Sequence, residues 1–173
     1  MKRTIYKNGK LACNGQLENK ELCVEDGIIA AIAPQIDCID AEIVDLKGKT
    51  LYPSLIEEHS HGANCLDFSV DDTSGIDRLI DFYRSQHVGT IFPTLMTDST
   101  EKMCAQLDEV VKSAKHCPEI KGIHVEGPFL SYEYKGATPR QYIQMPNLET
   151  AEKLLVHGAG LLKLVTIAPE LPG

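Results

Sequence analysis

The sequence lacks the features that membrane, secreted and nucleic-acid-binding proteins need. In its 173 residues no apolar run approaches the roughly 20 residues of a membrane helix, and no apolar segment follows the basic opening MKRTIYKNGK. We therefore expect no membrane partner, no secretory leader and a cytoplasmic location. Basic clusters longer than Lys2-Arg3 are also missing, and the net charge is −8. This charge balance argues against a nucleic-acid partner.

Paired cysteines are missing as well. Six cysteines are scattered along the chain, and none belongs to a C-x-x-C pair. This spacing predicts reduced, mostly structural thiols, and it argues against a zinc knot or a disulfide framework.

The pattern of predicted secondary structure changes near residue 50. Residues 1–50 contain short strand-like runs with Asn8-Gly9 and Asp26-Gly27 between them, dipeptides that predict hairpins, so a small β-rich domain is expected there. In residues 51–173, strand-like runs alternate with helix-like runs. That alternation predicts an α/β fold with about four parallel strands, either in a partial barrel or in an open sheet.

The predicted strands cover 51–61, 89–94, 120–128 and 161–170. Three helices lie between them, and we expect Asp98 with Glu101 to cap the second helix and Asn147 to cap the third.

Polar side chains fall where these predicted strands end. They are His59 with His61, Thr94, Glu126, and Pro169 with Glu170. In a barrel of parallel strands the carboxyl ends form the face on which chemistry occurs. We therefore expect His59, His61 and Glu126 to converge there.

Two imidazoles spaced H-x-H on one side of a strand can bind one cation, and zinc is a common choice. The alternatives are a pair of surface histidines and, for Glu126, a carboxylate held by backbone amides or an arginine. His124 faces the same side one pleat deeper, so it is either a core histidine or a residue that orients Glu126 or a bound water.

Four stretches carry a family resemblance. YPSLIEEHSHG (52–62) is similar to the segment that opens the barrel in the amidohydrolase superfamily. HVEGPFLS (124–131), KGATP (135–139) and LVTIAPELPG (164–173), in that order, resemble the N-acetylglucosamine-6-phosphate deacetylase family. The resemblance covers only the amino-terminal half of such an enzyme.

The resemblance implies the first half of a metal-dependent (β/α)8 TIM barrel, preceded by a small β-sandwich-like domain. It implies a hydrolase that deacetylates N-acetylglucosamine 6-phosphate, with Glu126, His59 and His61 as metal ligands and zinc, iron or manganese as the ion. Ala137 and Thr138 fall at the substrate-contacting pair, where the family has histidine in place of Thr138.

The family's general-base aspartate belongs to later strands, so the resemblance places no catalytic residue in these 173 residues and implies an inactive chain. Four strands with open edges also predict a homo-oligomer. Two other functions stay open: a metal amidohydrolase acting on a cyclic amide or as a deaminase, and a non-catalytic remnant of the fold.

Overall fold

The computed structural model describes residues 2–70 and 72–172. Contacts between residues divide the chain into two compact units, Met1–Pro53 and Ser54–Gly173. This division lies close to residue 50, where the predicted pattern of secondary structure changes. None of the helices in the described residues has the length and apolarity that crossing a membrane requires.

The first unit consists of short strands arranged in two sheets. Its strands are β1 (Arg3–Lys7), β2 (Lys10–Cys13), β3 (Gln16–Glu18), β4 (Glu21–Glu25), β5 (Ile28–Ala33), β6 (Glu42–Asp45) and β7 (Thr50–Leu51). One sheet has the order β5-β4-β1-β6, and the other has the order β3-β2-β7. The predicted β-rich character of this region is therefore present.

Two hairpins of this unit turn at residues with positive φ. Asp26 (φ 47°) and Gly27 (φ 84°) join β4 to β5, as predicted. Asn14 (φ 50°) and Gly15 (φ 74°) join β2 to β3 in the same manner, although the sequence analysis overlooked this dipeptide.

The hairpin predicted at Asn8-Gly9 is wrong, because β1 and β2 lie in different sheets. Gly9 instead lies against Lys49, since a Cβ on Gly9 would stand 2.5 Å from the Lys49 carbonyl oxygen. The Lys10 N–H donates to that oxygen at 3.1 Å. A long-range pairing with the chain before β7 has overridden the local turn signal.

The second unit alternates strands with helices. Its elements are β8 (Leu55–Ser60), β9 (Gly62–Ala63), β10 (Leu66–Asp67), α1 (Thr73–Ser85), β11 (Val88–Met96), α2 (Thr100–Ala114), β12 (Ile123–Glu126), a 3-10 turn (Arg140–Tyr142), α3 (Leu148–His157) and β13 (Leu162–Thr166). The main sheet has the order β13-β12-β11-β8, and each neighbouring pair is parallel. The predicted parallel arrangement of four strands is confirmed.

Helix caps agree with the sequence in one case and differ in another. Asn147 caps α3, because its side chain accepts a bond from the Thr150 N–H at 2.9 Å. At α2 the cap is Ser99, whose hydroxyl accepts from the Lys102 N–H at 3.3 Å. The prediction of Asp98 was wrong because its carboxylate binds the Ser99 N–H (2.8 Å) and the Lys102 ammonium (2.6 Å).

The core of this unit lies between the sheet and the first two helices, and α1 and α2 pack against β11 and against each other. Its fully enclosed side chains are Phe68, Ile76, Leu79, Ile80, Ile91, Leu95, Met103, Leu107, Val110, Ile123 and Val125. These residues recur at helical spacing in α1 and α2, which explains why both segments form amphipathic helices. The core fixes β11 and β12, and thereby the positions of the residues at their carboxyl ends.

Candidate metal centre

His59 and His61 lie at the carboxyl end of β8 and face the same side, because strand residues two apart share a face. Ser60, between them, holds this end of the strand in place. Its N–H donates to the Thr94 hydroxyl on β11 at 3.0 Å, and its hydroxyl is hydrogen-bonded to the Tyr83 hydroxyl on α1. The two imidazoles therefore stand on a main chain that is anchored from both neighbouring elements.

Glu126 is the last residue of β12, and the turn after it requires a glycine. Gly127 has a φ of +98°, and a Cβ there would lie 2.1 Å from the Thr97 hydroxyl oxygen. The same hydroxyl donates a hydrogen bond to the Glu126 carbonyl. The close approach of Thr97 thus fixes the main chain from which the Glu126 side chain extends.

The three predicted ligands converge. His61 Nε2 lies 3.0 Å from Glu126 Oε2, and His59 Nε2 lies 3.6 Å from the same oxygen. One ligand atom from each residue falls within 4.8 Å of the other two. Because a carboxylate oxygen and two imidazole nitrogens face a common point, the arrangement can hold a divalent cation of the zinc class.

His61 shows that the chain alone does not satisfy this cluster. Its Nδ1 is buried and has no hydrogen-bond partner among the described residues. A buried polar atom without a partner is uncommon and calls for an ion, a water or a further residue nearby. The nitrogen that faces Glu126 is the other one, Nε2, so Nδ1 needs a partner of its own. The donor set fits a metal site, and metal binding itself stays a prediction.

His124 is enclosed, and it does not orient Glu126 as one alternative held. Its Nδ1 lies 3.2 Å from the Thr94 hydroxyl, and its Nε2 lies 2.8 Å from the Thr166 hydroxyl. Burial, and then the neighbouring His59, lower the pKa of His124. Its ring packs edge-on against His59, with centroids 4.8 Å apart. The neutral imidazole of His124 therefore packs against the His59 ring and supports it.

The fourth strand ends earlier than predicted. β13 stops at Thr166, so Pro169 and Glu170 lie in the following loop and Thr166 is the polar residue at this strand end. Neither Thr166 nor Thr97 was predicted from the sequence. A hydroxyl residue at or just after an apolar strand was the available signal, but threonine is also common inside strands.

The predicted substrate pair lies in the loop between β12 and the 3-10 turn. Ala137 is exposed, whereas Thr138 is enclosed, with 2% of its surface exposed. The Thr138 N–H donates to the Lys135 carbonyl at 3.1 Å, and the Lys135 ammonium donates back to the Thr138 carbonyl at 2.8 Å. A substrate role for either residue stays a prediction.

Comparison with curated proteins finds relatives that share one activity class. The N-acetylglucosamine-6-phosphate deacetylase of Lysinibacillus sphaericus is 28% identical over 162 residues, which cover 92% of this chain and 42% of that protein. The Bos taurus protein of the same name is 33% identical over 134 residues, 73% of this chain and 33% of its own. An N-acetylgalactosamine-6-phosphate deacetylase of Escherichia coli O157:H7 is 26% identical, with 92% and 42% covered. No family model matches.

Solved structures show the same fold. The deacetylase of Mycobacterium smegmatis, in complex with N-acetyl-D-glucosamine-6-phosphate, superposes with a TM-score of 0.84 at 24% identity over all of this chain and 45% of its own. The Pasteurella multocida enzyme gives 0.83 at 24% identity, with 98% and 46% covered. The chain therefore spans less than half the length of the relatives that it matches.

Proposed function

We propose that this chain, which matches the amino-terminal part of proteins named N-acetylglucosamine-6-phosphate deacetylase, supplies metal ligands for deacetylation of a phosphorylated N-acetyl amino sugar. The reaction adds water across the amide bond of the N-acetyl group and yields the free amine and acetate. One observation carries the proposal: the Glu126 carboxylate lies between His59 and His61 at the carboxyl ends of parallel strands.

The ion expected at this cluster is zinc, and iron or manganese accept the same donors. Such an ion supplies Lewis acidity, which acidifies water and polarises an acetyl carbonyl. Glu126 contributes the negative charge that retains a cation, and His59 and His61 contribute neutral nitrogens. The enclosed ring of His124 holds His59 in place, because its own nitrogens are occupied by two threonines.

We further propose that the parallel sheet is the first half of a (β/α)8 barrel, with the first unit as a β-sandwich-like domain. Support comes from the outer strands of the sheet, β8 and β13, which expose apolar side chains. Ile56 is 73% exposed and Leu55 60%, while Leu164 is 41% and Val165 37% exposed. Apolar edges of this kind are normally covered. A closed barrel covers them, and self-association of the chain, as the sequence predicts, also covers them.

The substrate class rests on the relatives, which act by name on 6-phosphates of N-acetylglucosamine or N-acetylgalactosamine. In the loop that carries the predicted contact pair, the exposed Ala137 is available to a sugar. Thr138 is enclosed, so its role is to position the loop through its main-chain bonds to Lys135.

The family resemblance assigns proton transfer to an aspartate of later strands, and losing such a group lowers the rate by about 10²- to 10⁴-fold. We therefore expect the 173-residue chain to bind zinc at this cluster and to release no measurable acetate from N-acetylglucosamine 6-phosphate. Zinc content after dialysis and an acetate assay test both parts.

The informative variant is His59→Ala with His61→Ala, which should lower the bound zinc by one equivalent. His157→Ala is the matched control, since that histidine pairs with Asp108 elsewhere. Unchanged zinc in the double variant contradicts the proposed centre. Acetate release by the chain alone contradicts the assignment of proton transfer to later strands.

Fusion to the carboxyl-terminal part of the Lysinibacillus sphaericus relative tests the family activity. Acetate release that disappears in Glu126→Gln supports a deacetylase. A folded, zinc-loaded fusion that is inactive on both acetylated sugar phosphates favours the remnant, and one that hydrolyses a cyclic amide favours the other amidohydrolase class.

A further inference from the structure

A second group of metal-type side chains lies on the helical side of the same unit. Asp77 is in the middle of α1, and His116 and Cys117 follow the end of α2. His116 Nε2 lies 2.8 Å from Asp77 Oδ2, and Cys117 Sγ lies 3.6 Å from Asp77 Oδ1. One ligand atom from each residue falls within 4.8 Å of the other two.

The distances are close to those that a metal ion imposes. Zinc binds nitrogen and oxygen at about 2.0–2.2 Å and sulfur at about 2.3 Å. A tetrahedral ion therefore holds its ligand atoms roughly 3.3–3.8 Å apart. The separation of Cys117 Sγ from Asp77 Oδ1 falls in this range, while His116 faces the other oxygen, Oδ2. The shorter His116–Asp77 pair needs to open by less than about 1 Å, which is easy for the half-exposed His116 ring.

The charges around Cys117 favour a cation. The Asp77 carboxylate lies beside the Cys117 thiol, 3.6 Å from Oδ1 to Sγ, and a second carboxylate, Glu119, follows two residues later. Glu119 keeps one oxygen bound to Arg84 Nε at 2.7 Å, and its other oxygen is buried without a hydrogen-bond partner among the described residues. A divalent ion offsets this local excess of negative charge.

The simpler alternative is an ion pair between Asp77 and His116 that binds no metal. The chain contains such a pair for comparison: His157 Nδ1 lies 2.9 Å from Asp108 Oδ1 at the end of α3. What distinguishes the first group is the enclosed thiol beside it, since Cys117 is 5% exposed and its Sγ donates to Asp77 Oδ1 at 3.6 Å.

We propose that Asp77, His116 and Cys117 form a zinc-class metal site separate from the centre at Glu126. The mixed set of carboxylate, imidazole and thiolate suits zinc or cobalt and disfavours magnesium and calcium, which take oxygen ligands. Water completes four-fold coordination. The bound ion ties the middle of α1 to the segment between α2 and β12, and it stabilises the folded unit because it binds the folded state.

Cobalt(II) tests the site, because a thiolate ligand gives a sulfur-to-cobalt charge-transfer band in the near ultraviolet. The Glu126 centre contains no cysteine and gives no such band. Under reducing conditions the 173-residue chain should develop the band and reach its full intensity at one equivalent of thiolate-bound cobalt. Cys117→Ser should abolish it, and His116→Ala should weaken cobalt binding at this site by about tenfold or more.

Two control variants separate this site from other thiols and other ion pairs. Cys65→Ser removes the one exposed cysteine, and His157→Ala removes the comparison pair; both should retain the full band. The proposal is overturned if the wild-type chain gives no band, if the band survives in Cys117→Ser, or if it disappears in Cys65→Ser. Should Cys117→Ser fail to fold, His116→Ala decides, because that side chain is 55% exposed and unchanged cobalt affinity in it contradicts the site.

Discussion

The two groups of metal-type side chains differ in how the fold assembles them. His59, His61 and Glu126 stand at the carboxyl ends of parallel strands, where the sheet register brings strand ends together. Asp77, by contrast, meets His116 and Cys117 through the packing of α1 against the end of α2. The first arrangement follows from strand pairing, and the second depends on where one helix surface touches the chain after another helix.

The surroundings of the two groups differ as well. The side chains of the Glu126 group are 54%, 36% and 29% exposed for His59, His61 and Glu126, and apolar edge strands flank the sheet. The Asp77 group, by contrast, contains the buried side chain of Cys117. The first group is therefore open to further ligands on its exposed side, whereas the second group, as proposed, needs one further ligand besides its three side chains.

The largest expected effect is on stability, and it concerns the turn at Gly127 that follows Glu126 of the strand-end group. Gly127→Ala places a Cβ about 2.1 Å from the Thr97 hydroxyl oxygen at a positive φ, so it should lower the free energy of unfolding by about 3 kcal/mol. Gly136→Ala, at φ +58° with nothing within 4 Å, should cost about 1 kcal/mol. Urea unfolding measures both, and equal losses would show that Thr97 does not constrain the turn.

A smaller effect, on metal affinity, tests whether the two groups bind metal independently. Glu126→Gln removes the negative charge but keeps the shape, so zinc affinity at the strand-end group should fall by about 10- to 100-fold. The cobalt-thiolate band of the Asp77 group should not change. Isothermal titration and absorption spectra measure the two sites on the same sample. A simultaneous loss of the band would mean that the groups are not independent.

The smallest effect concerns the contact between α1 and α2. The Lys112 ammonium, and then Thr73 at the start of α1, hold the pKa of Glu109 at about 2. Because this pKa is depressed on folding, the stabilisation is present above the ordinary value near 4.5 and is lost as pH falls towards 2. Glu109→Gln should therefore cost about 1 kcal/mol at neutral pH and remove this acid dependence.

Glu149→Gln is the control for that variant, because the Glu149–Lys153 pair lies on the surface of α3 and joins no second element. Only Glu109→Gln should also weaken cobalt binding at the Asp77 group, since it loosens α1 against α2. Unfolding curves from pH 2 to 7 give the comparison, and identical curves for both variants would contradict it.

Sequence reasoning found the strand-end group and overlooked the helical one, for a physical reason. In a strand, alternation fixes which side a residue faces, so His59, His61 and the end of β12 could be assigned to one edge from local pattern alone. His116 follows the end of α2, where a histidine commonly complements the helix dipole. Nothing local predicts that Asp77, far away in the chain, would lie 2.8 Å from it.

Local signals also failed where another part of the chain competed. Asp98 has the right residue type for a cap, but it binds Lys102, and Ser99 caps α2 instead. Asn8-Gly9 has the right dipeptide for a hairpin, but Lys10 pairs near β7. Each failure reflects a partner that the sequence window did not contain.

The sequence by itself determined the alternation of strands and helices, the apolar faces of α1 and α2, the cap of α3 and the placement of three metal-type ligands at strand ends. These features depend on neighbours within a few residues, and the periods of helix and strand encode them. The tertiary structure alone decided that His124 is hydrogen-bonded to Thr94 and Thr166. It also decided that the close approach of Thr97 requires a glycine at Gly127, and that Asp77 contacts Cys117. Those contacts join distant segments, and their distances arise only when the core packs.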